Sequence, residues 1–147
     1  MYVIEVLKIM LEEQEDIIDE RISVYLMMLK IMPNLNGYNF IKECAKLILK
    51  DSTLKFNIHN RLFNEVGDMF DVKADIVDRS LRHAIDVSIK HNGIKDFQKF
   101  VKVEFYNDRP SPRELLCVLV ERAVVESNKL LSAKSSIRNK WETMKIK

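Results

Sequence analysis

The chain has 147 residues, 47% of them apolar, with only three glycines and three prolines. That is enough apolar chain for one core of its own, and too little glycine for a phosphate-cradling loop, a β-barrel or a β-sandwich; the abundant lysine, glutamate, leucine, isoleucine and methionine favour helices. The formal net charge of +2 conceals an asymmetry, because residues 1–20 carry one lysine and seven acids, net −6, while residues 21–147 carry 23 bases and 15 acids, net +8. The basic body suits a polyanion partner, for whose surface an acidic leader would compete, and it suits a solvated helix face equally well.

In chain order, residues 2–32 read as one long helix or two collinear ones. Ile4, Leu7, Leu11, Ile18, Ile22, Tyr25, Leu29 and Met32 recur three and four apart, with gaps, and the acidic stretch EEQEDIIDER is where the helix would bend. The start has no basic n-region, and its apolar run turns acidic too soon to span a bilayer, so no membrane is expected and the protein is expected in the cytoplasm. PNLNG (33–37) stops the helix and turns the chain. YNFIKECAKLILKD (38–51) predicts a second helix that buries Phe40, Ile41, Cys44, Ala45, Ile48 and Leu49. Residues 54–70 predict a third, with Leu62, Phe63, Val66, Met69 and Phe70 inside, and residues 74–91 a fourth, which ends at HNG with Gly93 free to take a positive φ. IKDFQKFV (94–101) is a short fifth helix. The sixth opens with Ser111 as N-cap, Pro112 at the first helical position and Glu114 completing a capping box. From Ser132 onward the chain is polar and basic, and a loose tail is expected. The expected fold is all-α, about six helices with a long N-terminal helix, divided into an acidic helical leader (1–21), a central domain (22–131) and a basic tail (132–147).

The stretch VGDMFDVKADIVDRSLRHAI (66–85) raises a question of charge, because Arg79, Arg82 and His83 alternate with Asp75, Asp78 and the following Asp86 in a largely apolar segment. On a wheel of about 100° per residue, Val77, Leu81, Ala84, Ile85 and Ser88 share one face, and Asp75, Arg79, Arg82, Asp86 and Lys90 the opposite one, flanked by Ile76 and His83. Upstream, Val66-Gly67 supplies a small residue for a close crossing, Asp71 a turn residue and Val72 an apolar plug. This is the spacing of a helix-turn-helix whose second helix enters a DNA major groove. It departs from the usual form at Asp71, where glycine is common, and at Lys73, a poor N-cap; Asp71 or Asp75 is the alternative cap. Two ordinary packed helices would also fit the pattern.

The same stretch resembles the C-terminal DNA-binding domain of the stage-zero sporulation protein A family, response regulators that govern spore formation. GY (37–38), KEC in the second helix, ADIVDRSLRHAIDV (74–87) and RPSPREL before the last helix carry the resemblance, most closely from Gly37 to His83. It implies about six helices with a central helix-turn-helix, binding to a short DNA box often present in tandem copies, and control of transcription. By position it implies base contacts from Ile76, Asp78 and Arg79, phosphate and groove contacts from Lys73, Arg82 and His83, and contact with RNA polymerase's sigma subunit from Ile94 to Val101. Asp75 shares the outward face and completes the expected DNA-binding set. At Ile76 the family carries an arginine; where the family has its phosphoacceptor receiver domain this sequence has an acidic stretch of about twenty residues, so control through a receiver is not expected, and a homodimer on DNA is a further expectation.

Other chemistry finds no support. His59, His83 and His91 are scattered, with no cysteine at ligand spacing, so no metal or cofactor is expected. Cys44 and Cys117 lie in apolar helical patterns and read as buried reduced thiols. The acids at 12, 13, 15 and 16 read as a solvated face, and Met27, Met28 and Met32 as core or as an adaptable contact surface. No nucleophile-base arrangement argues for an enzyme. The sequence reads as a non-enzymatic, helix-turn-helix transcription regulator that binds double-stranded DNA. The alternative is a protein-interaction module on the same fold that does not bind DNA, a partner or antagonist of a full-length regulator.

Overall fold

In the computed structural model, which describes residues 2–146, the chain forms six α-helices joined by short turns. They are α1 (Tyr2–Met28), α2 (Asn36–Lys50), α3 (Phe63–Phe70), α4 (Ala74–Lys90), α5 (Gly93–Val101) and α6 (Pro112–Ile146), with no strand among the described residues. The all-helical class and the central α3–α4 pair are as the sequence predicts. The emphasis on the N-terminal helix is not: the longest helix is the C-terminal α6, 35 residues against the 27 of α1. The stretch from Ser132, expected to be loose, is its final part, tied to α1 through the Lys134–Glu13 bond.

One core unites the body. Ile22, Tyr25, Leu26 and Leu29 of α1 meet Phe40, Ile41 and Cys44 of α2, Leu81 and Ile85 of α4, Phe97 of α5 and Leu115, Leu116 and Leu119 of α6. Phe97 joins the layers, edge-on to Tyr25 at 5.6 Å and stacked on Phe105 at 5.9 Å. Close-packed burial of this kind supplies most of the stabilisation that helices of these lengths lack by themselves.

Where a single third helix is predicted, the chain breaks into a 3₁₀ turn (Ser52–Phe56), a π turn (Ile58–Leu62) and α3. The carboxylate of Asp51 caps the first turn by accepting from the hydroxyl and the amide of Thr53, bonds that, with Arg61 nearby, hold it below the ordinary carboxylate range. Met69 and Phe70, expected inside, are exposed. Met69 falls off the apolar stripe, and Phe70 sits at its end, where Phe40 covers it edge-on at 5.1 Å.

The glycines are used for contact, not for turns. Gly93 does not end α4 with a positive φ; Asn92 takes the left-handed conformation, and Gly93 opens α5, where a Cβ would overlap the Leu29 carbonyl. Positive φ falls instead on Lys30, Asp71, Asn92 and Lys102. At the start of α6, the Glu114 amide donates to Ser111 Oγ at 3.1 Å, as predicted. The Glu114 carboxylate does not return to Ser111 but accepts from the amide of Tyr106, so half of the capping box instead pins the preceding loop.

Beyond the body, α1 and α6 run side by side as an antiparallel hairpin. Gln14 donates to Asn128 at 3.0 Å, Lys134 to Glu13 at 3.3 Å, and Arg21 pairs with Glu126 at 3.6 Å. The wheel continues the core stripes into this hairpin. Ile4, Leu7 and Leu11 lie on the stripe that Ile18, Ile22, Tyr25 and Leu29 bury, and Leu130, Ile137, Trp141 and Met144 on the stripe that Leu115, Leu119 and Ala123 bury. In the hairpin these seven side chains are exposed.

Candidate nucleic-acid interface

The α3–α4 turn is built from the residues the sequence marks out. Asp71 ends α3 in the left-handed conformation, φ 56° and ψ 45°, and the Val72 amide donates back to the Gly67 carbonyl at 2.9 Å, the longer bond of a Schellman motif. This fold-back brings the Val72 carbonyl to where a Cβ on residue 67 would stand, 2.5 Å away, which is why the position is glycine. Val66, Val77 and Leu81 are buried and Val72 is half-buried over them. Lys73 stands at the N-cap of α4 without a side-chain bond, and neither Asp71 nor Asp75 replaces it.

From this anchor, α4 turns its polar face to solvent. Lys73, Asp75, Ile76, Arg79, Arg82 and His83 are exposed, and Asp78 is half-buried beside them. Each acid of the helix is held by a base. Asp75 lies 3.0 Å from His59 Nε2, Asp78 takes the Nε–H of Arg82 at 3.1 Å, and Asp86 lies 2.9 Å from Arg109. Such exposed pairs add little stability; their effect is to mask the acids and fix the bases, leaving Arg79 and His83 directed outward.

Two grooves flank the helix, and sequence reasoning missed both. On one side Ile76, Arg79, Ser80 and His83 face Asn34, Asn36 and Gly37 at the start of α2. That helix has no side-chain cap, and its first residues, Asn36 and Gly37, line the same groove, a setting that favours an anionic oxygen. Gly37 permits the approach, since a Cβ there would come within 2.7 Å of the Ser80 carbonyl. On the other side Asp78 and Arg82 face Lys55, Phe56, His59 and Arg113. Phe56, 70% exposed, stands between Lys55 at 5.2 Å and Arg113 at 5.6 Å. A signal for this second groove lay in the sequence, where three bases and two aromatics fall within KFNIHNRLF (55–63), but nothing there places Arg113 beside them. α5, the expected sigma contact, buries Ile94 and Phe97 and exposes Lys95, Lys99 and Phe100.

The body that carries this face, residues 22–123, matches the family described as sporulation initiation factor Spo0A C terminal. The match spans α3, α4 and the turn between them, both flanking grooves and the core beneath them, and leaves the α1–α6 hairpin largely outside it. The chain therefore belongs to the Spo0A C-terminal family, a family of DNA-binding effector domains.

Proposed function

We propose that this chain is a non-catalytic, sequence-specific transcription regulator that docks α4 in the major groove of double-stranded DNA. The observation that supports the reading best is the outward face of α4, where Arg79 stands free of the ion pairs that engage Asp75, Asp78 and Asp86. An arginine near the start of a recognition helix reads guanine through two hydrogen bonds, and the bases of the two grooves take the phosphates on either side. Lys73, Arg82, His83, Lys55 and Arg113 hold the backbone, Ile76 and Arg79 face the base edges, and Asp78, engaged by Arg82, orients that guanidinium. The exposed Lys95, Lys99 and Phe100 of α5 form the surface offered to the polymerase sigma subunit. Such a protein works in the cytoplasm, and no described helix is long and apolar enough to cross a membrane.

Selection from random duplex DNA tests the reading. A single enriched box is expected, with affinity that falls steeply as salt rises. Arg79→Ala should then cost about 1–3 kcal/mol on that box and relax one base pair, whereas Arg82→Ala should weaken all sequences alike and lower the salt slope by about one. A second reading, a protein-interaction module without DNA binding, draws on the exposed apolar hairpin. Absence of binding to any duplex at low salt would select it.

A further inference from the structure

The first turns of α1 cannot be at rest in water. Residues 2–11 are apolar all round, broken only by Glu5 and Lys8, and a helix of that kind is a buried one. Within the body the stripes of α1 and α6 are covered by α2; past the end of α2 they continue uncovered, with side chains between 37% and 80% exposed from Tyr2 to Leu11 (Val6 being 39%) and at Leu130, Ile137, Trp141 and Met144. We propose that a second copy of this chain covers them, its hairpin lying antiparallel on the first so that four helices enclose one apolar seam. The pairing rests on the hairpin alone and stands or falls independently of DNA binding.

Three observations choose the occupant and its direction. First, space: α2 lies on the apolar side at the root of the hairpin, against Asp16, Ile18 and Ile22, so a partner running the same way would collide with it. A partner running the opposite way continues where α2 stops, and the two bodies end at opposite ends of the seam. Second, charge: the root is acidic through Glu12, Glu15 and Asp16, and the tip is basic through Arg138, Lys140 and Lys145. Antiparallel pairing sets each tip on the other's root, and among the described residues none of these six makes an ion pair within the chain (Glu13, by contrast, is engaged by Lys134). Lys140 and Lys145 flank the stripe of Ile137, Trp141 and Met144, the positions from which charges select a partner in helical bundles. Third, area: residues 2–17 extend about 24 Å, and two helices abreast span about 20 Å, a footprint of roughly 500 Å² before corrugation, of the order that a stable interface needs from each copy, about 800 Å² of accessible surface.

Trp141 is the only tryptophan, so its emission reports the seam directly. Sedimentation of the full chain without DNA should give a mass twice 17.3 kDa, and dilution should shift Trp141 emission to longer wavelength as the seam opens. Ile4→Asp with Ile137→Asp, both exposed positions in the single chain, should yield a monomer of unchanged helicity. Glu12→Lys with Glu15→Lys should weaken the dimer at least tenfold, and adding Lys140→Glu with Lys145→Glu should restore it. A wild-type monomer at sub-millimolar concentration, or a dimer indifferent to Ile4→Asp with Ile137→Asp, would overturn the proposal. So would a monomer that pellets with anionic lipid vesicles, which would assign the face to a membrane surface. Failure of the second charge pair to rescue the first would overturn the tip-to-root arrangement.

Discussion

Arg82 donates its Nε–H to both carboxylate oxygens of Asp78, 3.1 Å from each, one turn back on the exposed side of α4. The bond holds the guanidinium over the groove of Lys55 and Arg113 and leaves its two terminal amino groups free for a phosphate. It also occupies Asp78, which can then accept little from a cytosine edge. Asp78→Ala should therefore tighten binding to unrelated duplexes by about three- to tenfold at low salt, with the salt slope steepened by up to about one. A loss of preference at one base pair without that gain would show instead that Asp78 reads a base. Fluorescence anisotropy on specific and scrambled duplexes at several salt concentrations separates the two.

Ile76 is 39% exposed on the groove beside the start of α2, next to Arg79 and His83. An isoleucine cannot donate a hydrogen bond, but it packs against a thymine methyl. The preferred site should carry thymine at the pair facing residue 76, and Ile76→Arg should shift discrimination there by about 1–3 kcal/mol toward a guanine. Wild type and variant, measured on two duplexes that differ only at that pair, should reverse their rank order. The same order for both would mean that residue 76 reads nothing.

A glycine replaced by alanine inside a helix ordinarily gains about 1 kcal/mol. At Gly67 and Gly37 the sign should invert. The new Cβ would stand 2.5 Å from the Val72 carbonyl in the first case, and 2.7 Å from the Ser80 carbonyl and 2.9 Å from the Ala84 Cβ in the second. These neighbours are backbone or held by it, so relief requires α3, α2 or the turn to move. Each variant should lose about 1–3 kcal/mol in urea unfolding. A gain at either position would show that the helix can shift without cost.

Burial pushes the Cys44 thiol above its ordinary value, and Glu43 adds to the effect. The fold thus prefers the protonated thiol. Its contribution is complete below the ordinary thiol pKa and is lost as pH rises above it, because the unfolded chain ionises first. With an ordinary value of 9.0, stability should fall by roughly 1 kcal/mol by pH 10 through this group alone. Cys44→Ala should flatten that part of the pH profile, whatever its effect at pH 7. Cys117 is half-buried and shifted the same way, so in the native protein a neutral thiol reagent should label it before Cys44.

What the sequence made legible follows its periodicity. α4 could be placed to within a residue because its apolar and charged residues separate cleanly on the wheel, and the turn because Gly67, Asp71 and Val72 each satisfy a backbone requirement. The split of the third helix was hidden, since 3₁₀ and π turns keep apolar residues at spacings that mimic an α-helix. The hidden half of the candidate interface comes from Lys55 and Arg113, far apart in the chain, which only the packing of α6 brings together. The end of α6 was legible in part: Leu130, Ile137, Trp141 and Met144 stand seven, four and three apart, a heptad spacing that its polar composition obscures.

The left-handed residues at the helix ends have an evolutionary corollary. Lys30, Asp71, Asn92 and Lys102 all hold a positive φ, near 60° in each case, that glycine would adopt at no steric cost. Asp and Asn tolerate that conformation; the two lysines do not, and each stores about 1–2 kcal/mol of strain. Lys102 makes no ion pair among the described residues, and Lys30 only an exposed one, 3.9 Å from Asp96. Part of any gain from glycine would be returned to the more flexible unfolded chain. The net leaves the protein short of its attainable thermal tolerance by up to about 1 kcal/mol at each lysine, a reserve that Lys102→Gly and Lys30→Gly should release as a higher midpoint of thermal unfolding, although each replacement lies two base changes away from any lysine codon.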